Sequence, residues 1–146
     1  MPAKVTSAGE YASNLLKLIL QAVPYPNMAD NAAASPFTNL WVSLHTASPG
    51  AGGTQSTSEA TYGGYARVSV PRSAAGWNVT LNSVYPVAAI TFPAATSGSE
   101  TEICFGIGTA QTGAGHLLYF GSISPSILVT AGVTPQLLNT SNVTET

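Results

Sequence analysis

Charged side chains are scarce in this sequence. Aspartate, glutamate, lysine and arginine make up 7% of its 146 residues, against about 25% in an average soluble protein. The four basic residues, Lys4, Lys17, Arg67 and Arg72, are spread along the chain, whereas nucleic-acid binding needs a clustered basic surface. The composition therefore argues against a nucleic-acid partner. So little charge favours a protein that is packed against other subunits.

Residues that carry chemistry are also few. Cys104 is the only cysteine, so an internal disulfide is excluded, and its apolar neighbours predict a buried side chain. The two histidines lie far apart, and His45 has no acidic residue near it in sequence. Glu100 and Glu102 share one face of a predicted strand, where we expect a solvated edge. We therefore predict no catalytic residue, no cofactor and no metal site, and a protein that is not an enzyme.

Long hydrophobic runs are absent as well. No apolar run reaches the roughly 18 residues that a membrane-spanning helix needs. The nearest stretch, residues 15–23, contains Lys17 and Gln21. The N-terminus lacks the basic and apolar regions of a secretory signal. These features predict neither a membrane segment nor an export signal.

One helical pattern lies near the N-terminus, over residues 8–22. Ser7 and Glu10 form a capping-box pattern before it, and Pro24 ends it. Apolar residues recur along one stripe of this helix. Two interpretations stay open: the stripe packs on the chain's own sheet, or it lies on a partner subunit. For the second we predict these partner contacts: Leu15, Leu16, Ile19 and Leu20.

The remaining sequence alternates short strand patterns with turns rich in small residues. The predicted strands cover residues 38–46, 65–70, 77–82, 87–92, 102–109, 117–123, 127–130 and 136–138, with a last edge strand in the tail, 141–146. Roughly seven to nine strands at this spacing predict a mostly β protein, an antiparallel β-sandwich or jelly roll with one N-terminal α-helix. We divide the chain into an N-terminal arm and helix (1–24), a Pro/Ala-rich linker (25–37) and a β-sandwich body (38–146).

Residues 47–64 form the longest segment without a strand pattern. The segment is rich in glycine, serine and threonine, and Glu59 is its only charge. Surface loops of this length are uncommon in compact domains and are usually functional. Because it has no cluster of titratable groups, we predict a contact role. The predicted partner contacts in it are Gln55, Glu59 and Tyr62.

Aromatic residues suggest a second kind of contact. Exposed aromatic rings can stack on the faces of sugars, which makes glycan binding an alternative. Most of these residues lie in strand patterns, which are more typical of packing within the sheet. The candidates are Trp41, Tyr62, Tyr65, Trp77, Tyr85 and Tyr119.

Five short blocks occur in order along residues 38–130. They are LWVSLHTASPG (40–50), GYARV (64–68), AITFP (89–93), FGIGTA (105–110) and GAGHLLYFG (113–121). This series resembles a family of small tailed-phage virion proteins. Members in short-tailed double-stranded DNA phages serve as capsid cement, or decoration, proteins, and relatives are often labelled phage tail fibre proteins.

The resemblance implies a structural virion protein made in the cytoplasm of a host bacterium. As a cement protein it would be a jelly-roll homodimer on the outer capsid surface, bound to the lattice of the major capsid protein and bridging coat subunits. The alternative is a tail or tail-fibre component that binds glycans. A compact chain without repeats or heptads favours the cement role, because fibres usually need length.

Overall fold

The structure is a computed structural model that describes residues 10–24 and 37–144. Their contacts form two compact units. The first unit contains the described residues of 1–38, 71–89 and 138–146, and the second contains residues 39–70 and 90–137. The division into arm, linker and body remains a prediction. Of the predicted linker, only Phe37 lies within the described residues.

One helix and nine strands occur in the described residues. They are α1 (Glu10–Gln21), β1 (Asn39–His45), β2 (Val68–Pro71), β3 (Trp77–Thr80), β4 (Ser83–Pro86), β5 (Ile90–Thr91), β6 (Ser99–Gly108), β7 (Leu117–Thr130), β8 (Gln136–Leu137) and β9 (Val143–Thr144). The predicted class, mostly β with antiparallel sheets and one N-terminal helix, is confirmed. The sandwich or jelly-roll arrangement stays a prediction.

The second unit is built on a four-stranded sheet with the order β2-β1-β6-β7. β1 and β6 pair antiparallel, from Trp41 opposite Gly108 to His45 opposite Cys104. β6 and β7 form the longest ladder, and β7 is an edge strand. The apolar side chains of β1 that alternate in the sequence, Leu40, Val42 and Leu44, are buried in the core of this unit.

Two strand predictions differ from the structure. Residues 77–82 were predicted as one strand, but the chain turns at Leu81, where φ is 56°, and returns as β4. The predicted strands 117–123 and 127–130 are one strand, β7. Pro125 does not interrupt it, since an edge strand has one side that needs no hydrogen-bonded neighbour. β9 lies in the predicted tail strand and pairs with β4.

Helix α1 packs on the hairpin of its own unit. Leu16 and Leu20 are fully buried, and the helix contacts β3 and β4. The amide Nε2 of Gln21 donates to the backbone carbonyl of Trp77 at 2.7 Å. The more buried part of the predicted stripe therefore serves the chain's own core.

The C-terminal end of α1 is closed by a turn with a left-handed residue. The N–H of Val23 donates to the carbonyl of Lys17 at 3.1 Å, and Ala22 adopts a left-handed conformation with φ of 58°. The guanidinium of Arg72 donates to the carbonyls of Leu18 and Ile19. These donors satisfy carbonyls of the last turn that have no partner within the helix. The predicted capping residue Ser7 lies outside the described residues.

Replacing Ala22 with glycine is expected to stabilise the first unit by about 0.5–1 kcal/mol, because glycine adopts a left-handed backbone without the steric cost that alanine has. Urea unfolding should show a higher midpoint with an unchanged slope. Ala88→Gly is the matched control, since Ala88 is exposed and has no positive φ. That control should lower stability, and a gain of the same size in both variants would contradict the assignment.

Candidate functional site

Strand β7 exposes apolar side chains at the edge of its sheet. Leu118, Phe120 and Leu128 are 39%, 41% and 62% exposed, and none of the residues Leu117–Thr130 is charged. An edge strand has unpaired N–H and C=O groups and is usually protected by charged side chains. The 14 residues of β7 lack such charges, and exposed apolar side chains without charged neighbours are typical of protein contact sites.

Gln55 ties the 47–64 loop to the chain's own body. Its backbone N–H donates to the carbonyl of Ala114 at 2.8 Å, and its side-chain amide donates to the carbonyl of Trp41 at 3.2 Å. Its Oε1 accepts from the N–H of Ala110 at 2.9 Å. The side chain lies over Gly108, where an added Cβ would come within 2.2 Å of it. Gln55 is fully buried, and its hydrogen bonds hold the loop against the sheet.

His45 also holds this loop. Its Nε2 lies 2.8 Å from the hydroxyl of Ser43, and its Nδ1 lies 2.9 Å from the carbonyl of Thr57. Since Thr57 offers only an acceptor, Nδ1 carries the proton and Nε2 accepts from Ser43. Burial lowers the pKa of His45, and the hydrogen bond to Thr57 opposes that shift in part. Both ring nitrogens thus have structural partners.

Glu59 and Arg67 form a largely buried ion pair in the same region. Two guanidinium nitrogens of Arg67 donate to the two carboxylate oxygens of Glu59, each at 2.6 Å. The remaining donors reach the carbonyls of Ala110 at 2.8 Å and Gly113 at 2.7 Å. The hydroxyl of Tyr65 also donates to Glu59, at 2.9 Å. Arg67 is only 7% exposed, so the pair joins the loop to the β6–β7 connection within the protein.

Glu100 and Glu102 occupy different environments. Glu100 accepts from the N–H groups of Thr61 and Tyr62 and from the Thr61 hydroxyl, and these bonds lower the pKa of Glu100 against the effect of its partial burial. Glu102 is 0% exposed, and within the described residues neither of its carboxyl oxygens has a hydrogen-bond partner other than the neighbouring carboxyl group of Glu100. Burial, helped by the charge of Glu100, raises the pKa of Glu102 to about 8. Glu102 is therefore mostly protonated at neutral pH.

The first unit carries an open groove of about 540 Å³ on its β3–β4 hairpin. None of the residues that line it is charged. The wall contains aromatic rings, amides and hydroxyls. Its main residues are Trp77, Asn78, Thr80, Tyr85, Asn139 and Thr140.

Most of the chain matches the sequence profile of a known protein family. Residues 20–144 match the sequence profile of a family described as podophage GP4 fiber I protein gp80. The chain belongs to this gp80 family. Podophages are short-tailed phages, so the short-tailed-phage virion family inferred from the five sequence blocks is supported. The gp80 description names a fibre rather than a capsid cement protein. A search of curated proteins finds no match.

The structure places the predicted contact residues of this gp80-family chain mostly against its own body. Leu16, Leu20, Gln55 and Tyr62 are buried, and Tyr62 donates its hydroxyl to the carbonyl of Pro93 at 3.1 Å. The other three are only partly exposed: Leu15, Ile19 and Glu59. Their assignment to a partner interface stays a prediction. The exposed side chains of the loop belong to other residues, among them Ser56, Ser58 and Thr61.

Sequence reasoning misplaced Glu102 and did not identify β7 as the edge strand. The solvated edge expected for Glu102 is wrong, because β6 lies between β1 and β7 and carries Glu102 on the same buried face as Cys104. The burial predicted for Cys104 is confirmed. The uncharged run of β7 was visible in the sequence, but its edge position depends on strand order, which the sequence does not reveal.

Two further observations concern metal and membrane sites. Within residues 10–24 and 37–144, no group of three or more histidine, cysteine, aspartate and glutamate side chains comes together that could hold a metal ion. In the same part of the chain, no helix is long and apolar enough to span a membrane. The only described helix, α1, has 12 residues.

Proposed function

We propose that this chain is a non-catalytic structural subunit of a short-tailed phage virion and forms part of an external fibre. Membership of the gp80 family, whose description names a fibre protein, supports this assignment. A fibre subunit works through protein contacts, so it needs an attachment surface rather than a reactive centre.

The observation that carries the proposal is the edge strand β7. Three large apolar side chains remain exposed on an uncharged strand that lies at the edge of its sheet among the described residues. Burying apolar surface contributes about 25 cal/mol per Å², and edge pairing adds main-chain hydrogen bonds. Both gains require another protein surface. We therefore assign β7 to subunit contact in the virion, including contact with a second copy of the chain.

A second candidate is the capsid cement protein implied by the sequence blocks. In that role the subunit would bind the major capsid protein lattice from outside and bridge coat subunits. A compact chain without sequence repeats favours this role, since it provides a clamp more readily than a long shaft. Binding only the assembled lattice would stabilise it by mass action, and many repeated weak sites would add avidity.

Introducing charged side chains on β7 is expected to prevent incorporation of the subunit into the virion. In the variant Leu118→Lys/Phe120→Lys, two lysines would have to be desolvated at the contact without partners. Complementing a phage that lacks the gene should then give particles without the subunit, measured by quantitative mass spectrometry of purified virions. Leu81→Lys is the matched control, since Leu81 is 62% exposed in the β3–β4 turn. Normal incorporation of the β7 variant, or equal loss with the control, would refute the β7 assignment.

The position of the subunit in the particle decides between fibre and cement. Cryo-electron microscopy of virions carrying a labelled chain should place a small number of copies at fibres near the tail if the first proposal is correct. Hundreds of copies spread over the DNA-filled head would instead support the cement role and exclude the fibre role.

A further inference from the structure

We propose that the groove on the β3–β4 hairpin is a binding site for a neutral glycan. This inference concerns a site in the first unit and goes beyond the proposed structural role. The two are separable, because β7 could fail as a contact while the groove still binds sugar, and the reverse also holds.

The hairpin separates a core face from an outer face. On the core face, Trp77 and Val84 are buried in the unit, although Trp77 also contributes to the lining of the groove. On the outer face, Asn78 lies directly opposite Tyr85 in the antiparallel register. Side chains in such positions lie about 5 Å apart. Tyr85 and Asn78 are therefore neighbours on the outer face, and both line the groove.

The segment before β9 completes the groove. Asn139 and Thr140 line it from this segment, and Thr80 lines it from the end of β3. All three side chains are exposed, as is Asn78. Amides and hydroxyls supply both donors and acceptors. The groove thus has one aromatic wall, where Tyr85 is half-buried, and a rim of neutral polar groups.

This combination fits the chemistry of a pyranose ring. One face of such a ring is made of C–H groups, which pack on the negative face of an aromatic ring. The hydroxyls around the ring act as donor and acceptor together, and they match amide and threonine side chains. Binding sites with apolar or aromatic walls and a few placed polar groups are the usual form for small ligands.

Charge favours a neutral glycan over an anionic one. None of the lining residues is charged. An acidic sugar would lose part of its hydration in the groove without gaining a cationic partner, which is unfavourable. A protein partner is the competing occupant, and the exposed Val87 at the groove would suit it. The polar rim around Tyr85 suits sugar hydroxyls better.

The test uses the full chain and four neutral hexasaccharides: maltohexaose, cellohexaose, laminarihexaose and chitohexaose. Hexagalacturonate serves as the anionic comparison. We expect saturation-transfer NMR to detect at least one neutral hexasaccharide and titration to give its Kd. Tyr85→Ala should weaken this binding roughly tenfold, because the stacking wall is lost. Tyr85→Phe keeps the ring and should weaken binding less than Tyr85→Ala does, by about threefold, the value of a hydrogen bond at the weaker end of the usual range.

Two more variants separate the groove from general effects. Asn139→Asp changes an exposed position, leaves the core intact and should also weaken binding, because a carboxylate cannot donate. Phe120→Ala removes an exposed aromatic from β7 and should leave Kd unchanged. The proposal is overturned if none of the four neutral sugars binds, if hexagalacturonate binds better, or if Tyr85→Ala and Phe120→Ala act alike. Loss of virion incorporation in Tyr85→Ala without any sugar binding would assign the groove to a protein partner instead.

Discussion

Replacing Glu102 with glutamine is expected to remove a loss of stability that the native chain undergoes as pH rises from 6.5 to 8. The carboxyl is fully buried, its oxygens lack partners within the described residues other than the carboxyl of Glu100, and burial next to Glu100 raises its pKa to about 8. In the unfolded chain a glutamate has a pKa near 4.5. The folded state therefore binds one more proton than the unfolded state between these two values.

The sign of the effect follows from this difference. The pKa of Glu102 is raised in the folded state. The stabilisation that this group contributes is therefore fully present below pH 4.5 and is lost as pH rises toward 8. One proton corresponds to about 1.4 kcal/mol per pH unit, so the loss between pH 6.5 and 8 is roughly 2 kcal/mol. Glutamine cannot ionise. The stability of Glu102→Gln relative to the native chain should therefore rise by roughly 2 kcal/mol between pH 6.5 and 8.

Other titrating groups limit the useful pH range. Burial lowers the pKa of His45, so protonation of His45 destabilises the fold as pH falls below 6.5. The lowered pKa of Glu100 acts only below about 4.5. Burial raises the pKa of Tyr62 to about 12 and also raises that of Tyr65, and both act above pH 10. The interval from pH 6.5 to 8 thus isolates Glu102 among these groups.

Urea unfolding at several pH values measures this change in stability. Hydrogen exchange of the β1 and β6 amides is measured as well, because these amides report on the second unit. The control is Glu100→Gln, which weakens the acceptor for Thr61 and Tyr62 and should destabilise the unit throughout the interval. It should also shift the titration of Glu102 to lower pH, because the charge of Glu100 is removed. Equal slopes in the native chain and in Glu102→Gln would contradict the buried-carboxyl account.

The sequence predicted those features that depend on local pattern. The alternation in β1 gave its strand and its buried face, and the helical stripe gave α1, because both periods are read from neighbouring residues. The β3–β4 turn was missed because Leu81 is not a typical residue for a left-handed position. Contacts between residues that are far apart in sequence were also missed. No local pattern indicates that Gln55 reaches Ala110 or that Glu102 lies on a buried face.

The same limit applies to the candidate contact sites, because their local sequence features can be read but their positions in the fold cannot. The low charge of the sequence led us to expect a contact surface, which stays a prediction, and composition cannot locate such a surface, since strand order is a property of the whole sheet. The loop of residues 47–64 was predicted as a contact element because it is long and rich in glycine. Its buried residues instead close over the sheet through Gln55, His45 and Arg67. A contact role for its exposed residues stays a prediction.

Replacing Arg67 with methionine is expected to destabilise the second unit by about 3–5 kcal/mol, the cost of leaving a buried charge without its partner. Glu59 would keep the hydroxyl of Tyr65 as a donor but lose both guanidinium bonds. The carbonyls of Ala110 and Gly113 would also lose their donors. Arg67→Lys keeps the charge but cannot reach all three acceptors at once, and we expect an intermediate loss.

A double-mutant cycle separates the ion pair from the packing of the arginine. Glu59→Gln/Arg67→Met removes both charges and should be more stable than Arg67→Met alone, because no uncompensated carboxylate remains. Urea unfolding gives the coupling free energy, and limited proteolysis shows whether residues 47–64 detach first. Additive losses of less than about 1 kcal/mol each would mean that the pair behaves like a surface salt bridge. A large coupling would instead mean that this pair holds the loop closed over the sheet, which leaves β7 as the main exposed apolar surface of the unit.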